Sequence, residues 1–273
     1  MSTMTVKDTA GAPRAAAPGG FHLPTIDAPI TKVPFSRLVR VEARKLVDTL
    51  AGRWFLIILA LVIVIAMTIM LFVDRGDHSY STYLTAAGVP LGIFLPVLGI
   101  LSATQEWSQR TAMTTFALEP RRGRVVLAKV VSTVLLGLGA VVLTLLLGAV
   151  GRLLGDLRGA ETAWAVDGWA IAGMTLMMVL FVLQGLAFGL ALLNTPAAIV
   201  AYFAIPTLLP LMTLVSWLRT PHEWIDLSMT TAPLPMGAAM TGEQWAQLAV
   251  SVALWVGVPL AIGVWRVLRR EVK

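Results

Sequence analysis

The stretch WFLIILALVIVIAMTIMLFV, residues Trp54–Val73, runs for 20 residues without Asp, Glu, Lys, Arg or His. A helix of about 20 apolar residues is long enough to cross the hydrocarbon core of a bilayer, which is about 30 Å thick. A single Arg or Lys at the centre of such a helix costs about 2.5–3.5 kcal/mol on the insertion scale. The uncharged stretch therefore predicts a membrane-spanning helix.

The rest of the 273-residue chain continues this pattern, since 57% of it is apolar and only 13% is charged. Soluble proteins carry about 25% charged residues, and a mean hydropathy of +0.81 is typical of a membrane protein. Transmembrane β-strands are about half as long as these windows, so we predict an all-α integral membrane protein with six transmembrane helices. The five further uncharged windows are Leu84–Ala103, Val130–Val150, Trp169–Leu193, Ala197–Leu218 and Trp245–Trp265.

Prolines interrupt the second window at Pro90 and Pro96. Proline removes a backbone donor and clashes with the preceding turn, so we predict a kinked or broken helix, to which Gly88 and Gly92 would add the flexibility that a gate needs. The two prolines are also candidate contacts with the substrate pathway or with a second subunit. Between the fourth and fifth windows, Asn194-Thr195-Pro196 predicts a tight turn.

The distribution of Lys and Arg predicts the orientation of the chain, because cytoplasmic loops are enriched in these residues. Eight of the 21 precede the first window, five lie between the second and third, and four follow the last. Six spans place these three regions on one side. We therefore expect a multi-pass protein of the cell (plasma) membrane with cytoplasmic N- and C-termini. Tryptophans that could anchor the span ends in the headgroup layer are Trp54, Trp169, Trp217, Trp245 and Trp265.

Three segments outside the windows carry further predictions. Residues 1–33 contain too little apolar surface to fold, so we expect a disordered cytoplasmic tail before a six-span domain at 34–273. The sequence FSRLVRVEARKLVDTL, residues 35–50, has an apolar face and arginines mostly elsewhere, which predicts a helix at the membrane interface. Residues 218–244 are apolar for an external loop, and a re-entrant or surface helix is as well supported as an ordinary ordered loop.

The segment between the second and third windows reads ATQEWSQRTAMTTFALEPRRGRVVLAK, residues 103–129. Its mixture of polar and apolar side chains predicts a short amphipathic helix that ends at Pro120 and precedes a basic turn. Such a helix could dock a cytosolic protein. An equally supported alternative is that the arginines only reflect the enrichment of positive charge in cytoplasmic loops and have no docking role.

This segment resembles the permease subunits of bacterial ABC-2 type transporters. In that family a Glu is followed by a Gly-Thr or similar pair, and a Thr-Pro-Arg-Arg turn precedes a Lys at the next span. Here Arg110-Thr111 stands in place of Gly-Thr, and Glu119 precedes the proline. Residues 40–46, RVEARKL, also resemble the family's first amphipathic helix. The matching positions are Glu106, Arg110, Thr111, Thr114, Leu118, Glu119, Pro120, Arg121, Arg122, Gly123, Arg124, Ala128 and Lys129.

The resemblance implies a transport function. Family permeases pair into a twelve-span dimer on two cytosolic ABC ATPase subunits, and the loop after the second span is a coupling helix that enters a groove on the ATPase. The chain would then be the permease subunit of an ATP-driven transporter that exports an apolar or amphipathic substrate. Pro120 would end the coupling helix, and Arg121, Arg122 and Arg124 would hold it at the lipid surface. The residues implied to contact or brace the ATPase are Glu106, Arg110, Thr111 and Thr114.

The chain carries no recognisable machinery for ATP hydrolysis or other catalysis. It lacks the Gly-x-x-x-x-Gly-Lys-Ser/Thr phosphate loop and contains no cysteine. The histidines, His22, His78 and His222, have no partner at metal-binding spacing and are expected to be solvated. We therefore predict a non-enzyme that binds no cofactor or metal itself, with ATP and Mg²⁺ bound by the partner subunit. No basic run is interleaved with aromatics, so we expect no nucleic-acid partner.

No ionisable residue lies within a window, which argues against an ion-coupled carrier. Gln184 is the most polar residue in mid-span, and it lies beside Gly185 and Gly189, a spacing that permits close helix approach. It predicts a hydrogen bond between helices or, alternatively, a contact with the substrate pathway or with a second permease chain, identical or related. A membrane-embedded enzyme and a non-transporting membrane anchor or assembly subunit are alternative functions.

Overall fold

The computed structural model describes residues 33–72, 79–157, 167–237 and 239–269, and the tail expected at residues 1–33 lies outside this part except for its last residue. The described residues form helices, and no β-strand occurs among them. The helices are α1 (Phe35–Asp48), α2 (Leu50–Phe72), α3 (Tyr80–Ser108), α4 (Ala112–Leu118), α5 (Arg122–Leu157), α6 (Gly168–Leu192), α7 (Thr195–Leu208), α8 (Arg219–Ile225), α9 (Leu227–Thr231), α10 (Gly242–Val252) and α11 (Val258–Arg269).

Six helical segments are long and apolar enough to cross a membrane, which confirms the all-α prediction with six spans. The fifth continues from α7 through a 3₁₀ turn, Leu209–Leu214, and the sixth joins α10 to α11 through a π-helical turn, Ala253–Gly257. The segments are Gly52–Phe72, Tyr80–Ser108, Arg122–Leu157, Gly168–Leu192, Thr195–Leu214 and Gly242–Arg269. Several extend beyond the uncharged windows, so charged residues do lie within them.

The second span, α3, is one continuous helix through Pro90 and Pro96, so the predicted break is wrong, whereas the alternative of a kink stays a prediction. Both prolines are buried. Neighbouring helices can accommodate a proline inside a membrane helix because they cover the backbone groups that it leaves unpaired. Here α3 packs more extensively against α6 than against any other helix.

Glycines bring the backbones of α3 and α6 together. A Cβ atom on Gly185 would lie 2.0 Å from the carbonyl oxygen of Pro96, and one on Gly189 would lie 2.7 Å from the Cβ of Ala103. Gly99 of α3 is equally close to the backbone of α6. Gly185 and Gly189 therefore serve packing within the chain, as their spacing predicts, and their contact with the substrate pathway or a second subunit stays a prediction.

The turn between the fourth and fifth spans is as short as predicted. Helix α6 ends with Leu193 in the left-handed conformation, at φ 52°. Asn194 then caps α7, since its side-chain oxygen accepts a hydrogen bond from the backbone N–H of Ala197 at 3.0 Å.

Residues 218–244, of which residue 238 is not described, contain the helices α8 and α9 rather than an ordinary loop. Helices α8 and α9 pack against the middle of the sixth span. The indole N–H of Trp255 donates to the carbonyl of Ile225, and the hydroxyls of Thr230 and Ser251 lie 2.7 Å apart. The segment is therefore helical and packs beside the last span, as expected for either a re-entrant or a surface helix.

Candidate functional site

Four charged side chains form a cluster at the end of the bundle where α3 passes into α4. We call Glu42, Lys45, Glu106 and Lys129 the ion cluster. Lys129 Nζ lies 2.6 Å from Glu42 Oε2 and 3.2 Å from Glu106 Oε1. Lys45 Nζ lies 2.6 Å from Glu42 Oε1 and 2.7 Å from Glu106 Oε1. Two carboxylates therefore face two ammonium groups, and the cluster is neutral overall.

The cluster is buried, because Glu106 and Lys129 are each only 2% exposed and Lys45 alone is partly accessible. Charges removed from water need partners and further hydrogen bonds to offset their desolvation. Lys129 also donates to the backbone carbonyl of Ser102 at 3.2 Å, and the Thr115 hydroxyl donates to Glu106 Oε1 at 3.2 Å. The ion cluster thus joins α1, α3, α4 and α5.

Lys45 shows the electrostatic effect of this arrangement. Burial alone lowers the pKa of a lysine, but the carboxylates of Glu106 and Glu42 outweigh it and raise the pKa of Lys45 above its ordinary value. The ammonium form is therefore the stable form around neutral pH.

The sequence indicates Glu106 as a site residue but does not indicate its partners. Helix α1 is present as predicted, with Leu46 buried, but Glu42 is buried on the same side. One signal could have revealed this acid: it lies four residues from both Leu38 and Leu46, on the apolar face of the helix. An acid in that position requires a buried cation. Lys129 was assigned to the edge of a span, whereas α5 begins at Arg122 and contains it.

The predicted amphipathic helix after the second span is present as α4. Helix α3 ends in a Schellman motif. The N–H of Thr111 donates to the carbonyl of Glu106 at 2.9 Å, and the N–H of Arg110 donates to that of Trp107 at 3.4 Å. Arg110 takes the left-handed conformation, at φ 57°. Its position is the one that glycine usually occupies in this motif.

Helix α4 presents a mixed surface to its surroundings. Met113 and Leu118 are large apolar side chains with exposures of 59% and 77%. Arg110, Thr111 and Thr114 are also exposed. Glu106 lies beneath this surface rather than on it. Of its two predicted roles, bracing the helix that meets the ATPase therefore fits better than direct contact with the ATPase.

The basic turn after α4 is held mainly by protein groups. Arg122 donates to the carbonyl of Val267 at 2.9 Å, and its guanidinium lies 4.9 Å from the ring centre of Phe116. Arg124 pairs with Glu119 at 3.0 Å. Arg122 and Arg124 therefore hold α4 against the chain and are half-buried, whereas Arg121 is exposed, as is Pro120. The contact of the three arginines with the lipid surface stays a prediction.

A cleft of about 550 Å³ lies between α1 and α4. The ion cluster forms part of its floor, through Glu42, Lys45 and Glu106, and Thr114 and Leu118 of α4 form part of its wall. The exposed side of α4 and this cleft make one continuous surface with both charged and apolar character.

Two further predicted residues lie elsewhere. Gln184 is buried in α6 but hydrogen-bonds to none of the described residues, so the predicted bond between helices is not formed. His222 was expected to be solvated but is 3% exposed, and its Nε2 lies 3.1 Å from Asp226 Oδ2. Within residues 33–72, 79–157, 167–237 and 239–269, no group of three or more His, Asp or Glu side chains could hold a metal ion.

No protein-family model matches the chain, and a search of curated proteins finds none that is significantly similar to it.

Proposed function

We propose that the chain is the transmembrane permease subunit of an ATP-driven transporter, and that a separate cytosolic ATPase docks on α4. One observation carries the proposal: a short helix with exposed apolar side chains rests directly on a buried, charge-balanced cluster that joins three other helices. Met113 and Leu118 supply apolar anchors of the kind that dominate protein interfaces. The resemblance of residues 103–129 to ABC-2 permeases favours the same conclusion.

The ion cluster provides a physical route from α4 to the spans. A displacement of α4 acts on α3 through the Schellman motif and through the contact of Thr115 with Glu106. The carboxylate of Glu106 transmits this displacement to Lys129 of α5 and to Lys45 of α1. Because breaking such contacts exposes unpaired buried charge, the helices move with α4 rather than independently of it.

The remaining parts of the transporter follow from this assignment. The chain lies in the plasma membrane, and its three regions rich in Lys and Arg face the cytosol. ATP and Mg²⁺ are bound by the ATPase. A second permease chain, identical or related, completes the pathway. Only 11% of the most apolar part of the fifth span is buried inside the chain, compared with 50% for the second and fourth. The fifth span therefore has surface available for lipid or for that second chain.

The test is co-purification from native membranes with a tagged chain. The Met113→Ser/Leu118→Ser variant removes both apolar anchors without touching the ion cluster. The matched control, Leu214→Ser/Met236→Ser, removes two similarly exposed apolar side chains that belong neither to α4 nor to the cleft beside it. We expect a soluble ATPase to co-purify with the wild type and the control but not with the α4 variant.

Folding is checked by elution of each variant as a single species in mild detergent. Loss of the ATPase from both variants would mean that α4 has no special role. Recovery of the wild-type chain without any nucleotide-binding partner would contradict the proposal and favour a membrane-embedded enzyme or an anchor.

A further inference from the structure

A second cavity, of about 190 Å³, lies between helices near the middle of the bundle. Gly92 of α3, Phe181 and Gln184 of α6, and Tyr202 of α7 line one part of it. Ser228 of α9 and Trp255 of the π-helical turn line another part. All of these elements belong to the spans or to the segment that packs beside the last span.

Gln184 is the unusual member of this lining. It is 3% exposed, and its amide forms no hydrogen bond with any residue in the described part of the chain. A buried amide without a hydrogen-bond partner is unfavourable. Because Gln184 lines the cavity, a molecule bound there can supply a partner for its amide.

The other walls offer mainly apolar and aromatic contact, with Thr207 and Ser228 as further polar residues. The ring of Trp255 is fixed because its N–H donates to Ile225 and because it stacks on Phe188, with ring centres 6.3 Å apart. Phe188 meets Tyr202 edge to face at the same separation. Trp255 also lies in a π-helical turn, a distortion that is frequent at functional sites.

We infer that this cavity binds a neutral amphipathic molecule, whose hydroxyl or carbonyl group hydrogen-bonds to Gln184 while its apolar body packs against Phe181, Tyr202 and Trp255. The lining contains no charged side chain, so a charged ligand would be left without a counter-ion. An apolar cavity of about 150 Å³ can hold benzene, which makes a substituted ring or a short branched chain the appropriate size. Identification of this ligand as the transported substrate rests on the proposed function, whereas the binding itself does not.

The absence of cysteine from the sequence allows a direct test. A Ser228→Cys variant places the only thiol at the exposed edge of the cavity, and its rate of modification by N-ethylmaleimide reports occupancy. The probes are benzyl alcohol, toluene and benzylammonium, which share a ring but differ in polarity and charge. A Ser216→Cys variant, exposed but away from the cavity, is the matched control.

We expect benzyl alcohol to slow modification of the Ser228→Cys variant at concentrations about three- to tenfold lower than toluene requires, the range of one net hydrogen bond. Benzylammonium should give no protection, and no probe should protect the Ser216→Cys variant. Adding Gln184→Leu, which keeps the side-chain size, should abolish the advantage of benzyl alcohol.

Equal protection by benzyl alcohol and toluene, or an advantage that survives Gln184→Leu, would overturn the inference. The assay needs neither ATP nor an ATPase. Protection without any ATPase partner would therefore support the site and contradict the transport function, whereas an ATPase partner without protection would contradict the site alone.

Discussion

Lys129 and Glu42 form a buried ion pair, with 2.6 Å between Nζ and Oε2, although 87 residues separate them in the chain. Lys45 and Glu106 complete the ion cluster, so that each charge contacts an opposite charge. A buried ion that loses its partner keeps its desolvation cost without compensation. Stability should therefore depend on the balance of charge in the cluster more than on the size of its side chains.

Replacing Lys129 by methionine tests this dependence. The Lys129→Met variant leaves two carboxylates facing Lys45 alone, and we expect the free energy of unfolding to fall by about 3–5 kcal/mol. The Glu42→Leu/Lys129→Met variant removes one charge of each sign and leaves Lys45 paired with Glu106, so it should recover most of that loss. The coupling energy follows from thermal unfolding in detergent micelles. The proteins compared are the wild type, Glu42→Leu, Lys129→Met and the double variant.

Arg53→Ala provides the control for this cycle. Arg53 and Asp48 are 3.8 Å apart and both well exposed, and exposed pairs contribute little to stability. We expect no measurable change. A double variant as unstable as the sum of its two single variants would show that Glu42 and Lys129 are not coupled.

The close approach of α3 and α6 gives a second prediction. A Cβ on Gly99 would lie 2.3 Å from the carbonyl oxygen of Val182, whereas a Cβ on Gly88 of the same helix meets nothing within 4 Å. Gly99→Ala must separate the two helices, and we expect a loss of about 1–3 kcal/mol. Gly88→Ala should leave stability unchanged or raise it, because alanine favours helix over glycine. Melting temperatures in micelles measure both, and similar values for the two variants would contradict the prediction.

The spans could be predicted from the sequence because each depends on its own residues. The cost of burying charge in lipid is local, so Trp54–Val73 reveals a helix without knowledge of its neighbours. The second span shows where this reasoning ends. Proline destabilises an isolated helix, but Pro90 and Pro96 are covered by other helices, and that cover depends on packing.

The site was only partly predictable for the same reason. Residues 103–129 indicated α4 and Glu106, but the partners of Glu106 come from α1 and α5. The position of Glu42 on the apolar face of α1 indicates that it needs a cation, but it does not indicate which lysine supplies it. Gln184 was recognised as polar in mid-span, yet the cavity beside it is formed by five separate segments.

Arg110 gives a prediction that separates backbone strain from charge. It is exposed and left-handed, at φ 57°, a conformation that costs residues with a Cβ about 1–2 kcal/mol. Arg110→Gly should therefore raise the free energy of unfolding by up to about 1 kcal/mol, even though it removes a charge. Arg121→Gly removes an exposed arginine without a left-handed backbone and should give no gain. If thermal unfolding shows the same change for both, the strain at Arg110 is not relieved by glycine.

Lys45 gives the pH dependence of the ion cluster. The carboxylates raise its pKa above 10.5 in the folded chain. A base whose pKa is higher in the folded state stabilises the fold below its unfolded pKa, and this contribution is lost as the pH rises through the folded pKa. The difference in melting temperature between the wild type and Lys45→Met, measured from about pH 8 to about pH 12, should stay constant and then shrink only above about pH 10.5. Titrating groups outside the ion cluster behave alike in both proteins and cancel in this difference. A difference that shrinks below about pH 9.5 would mean that burial outweighs the carboxylates and lowers the pKa instead.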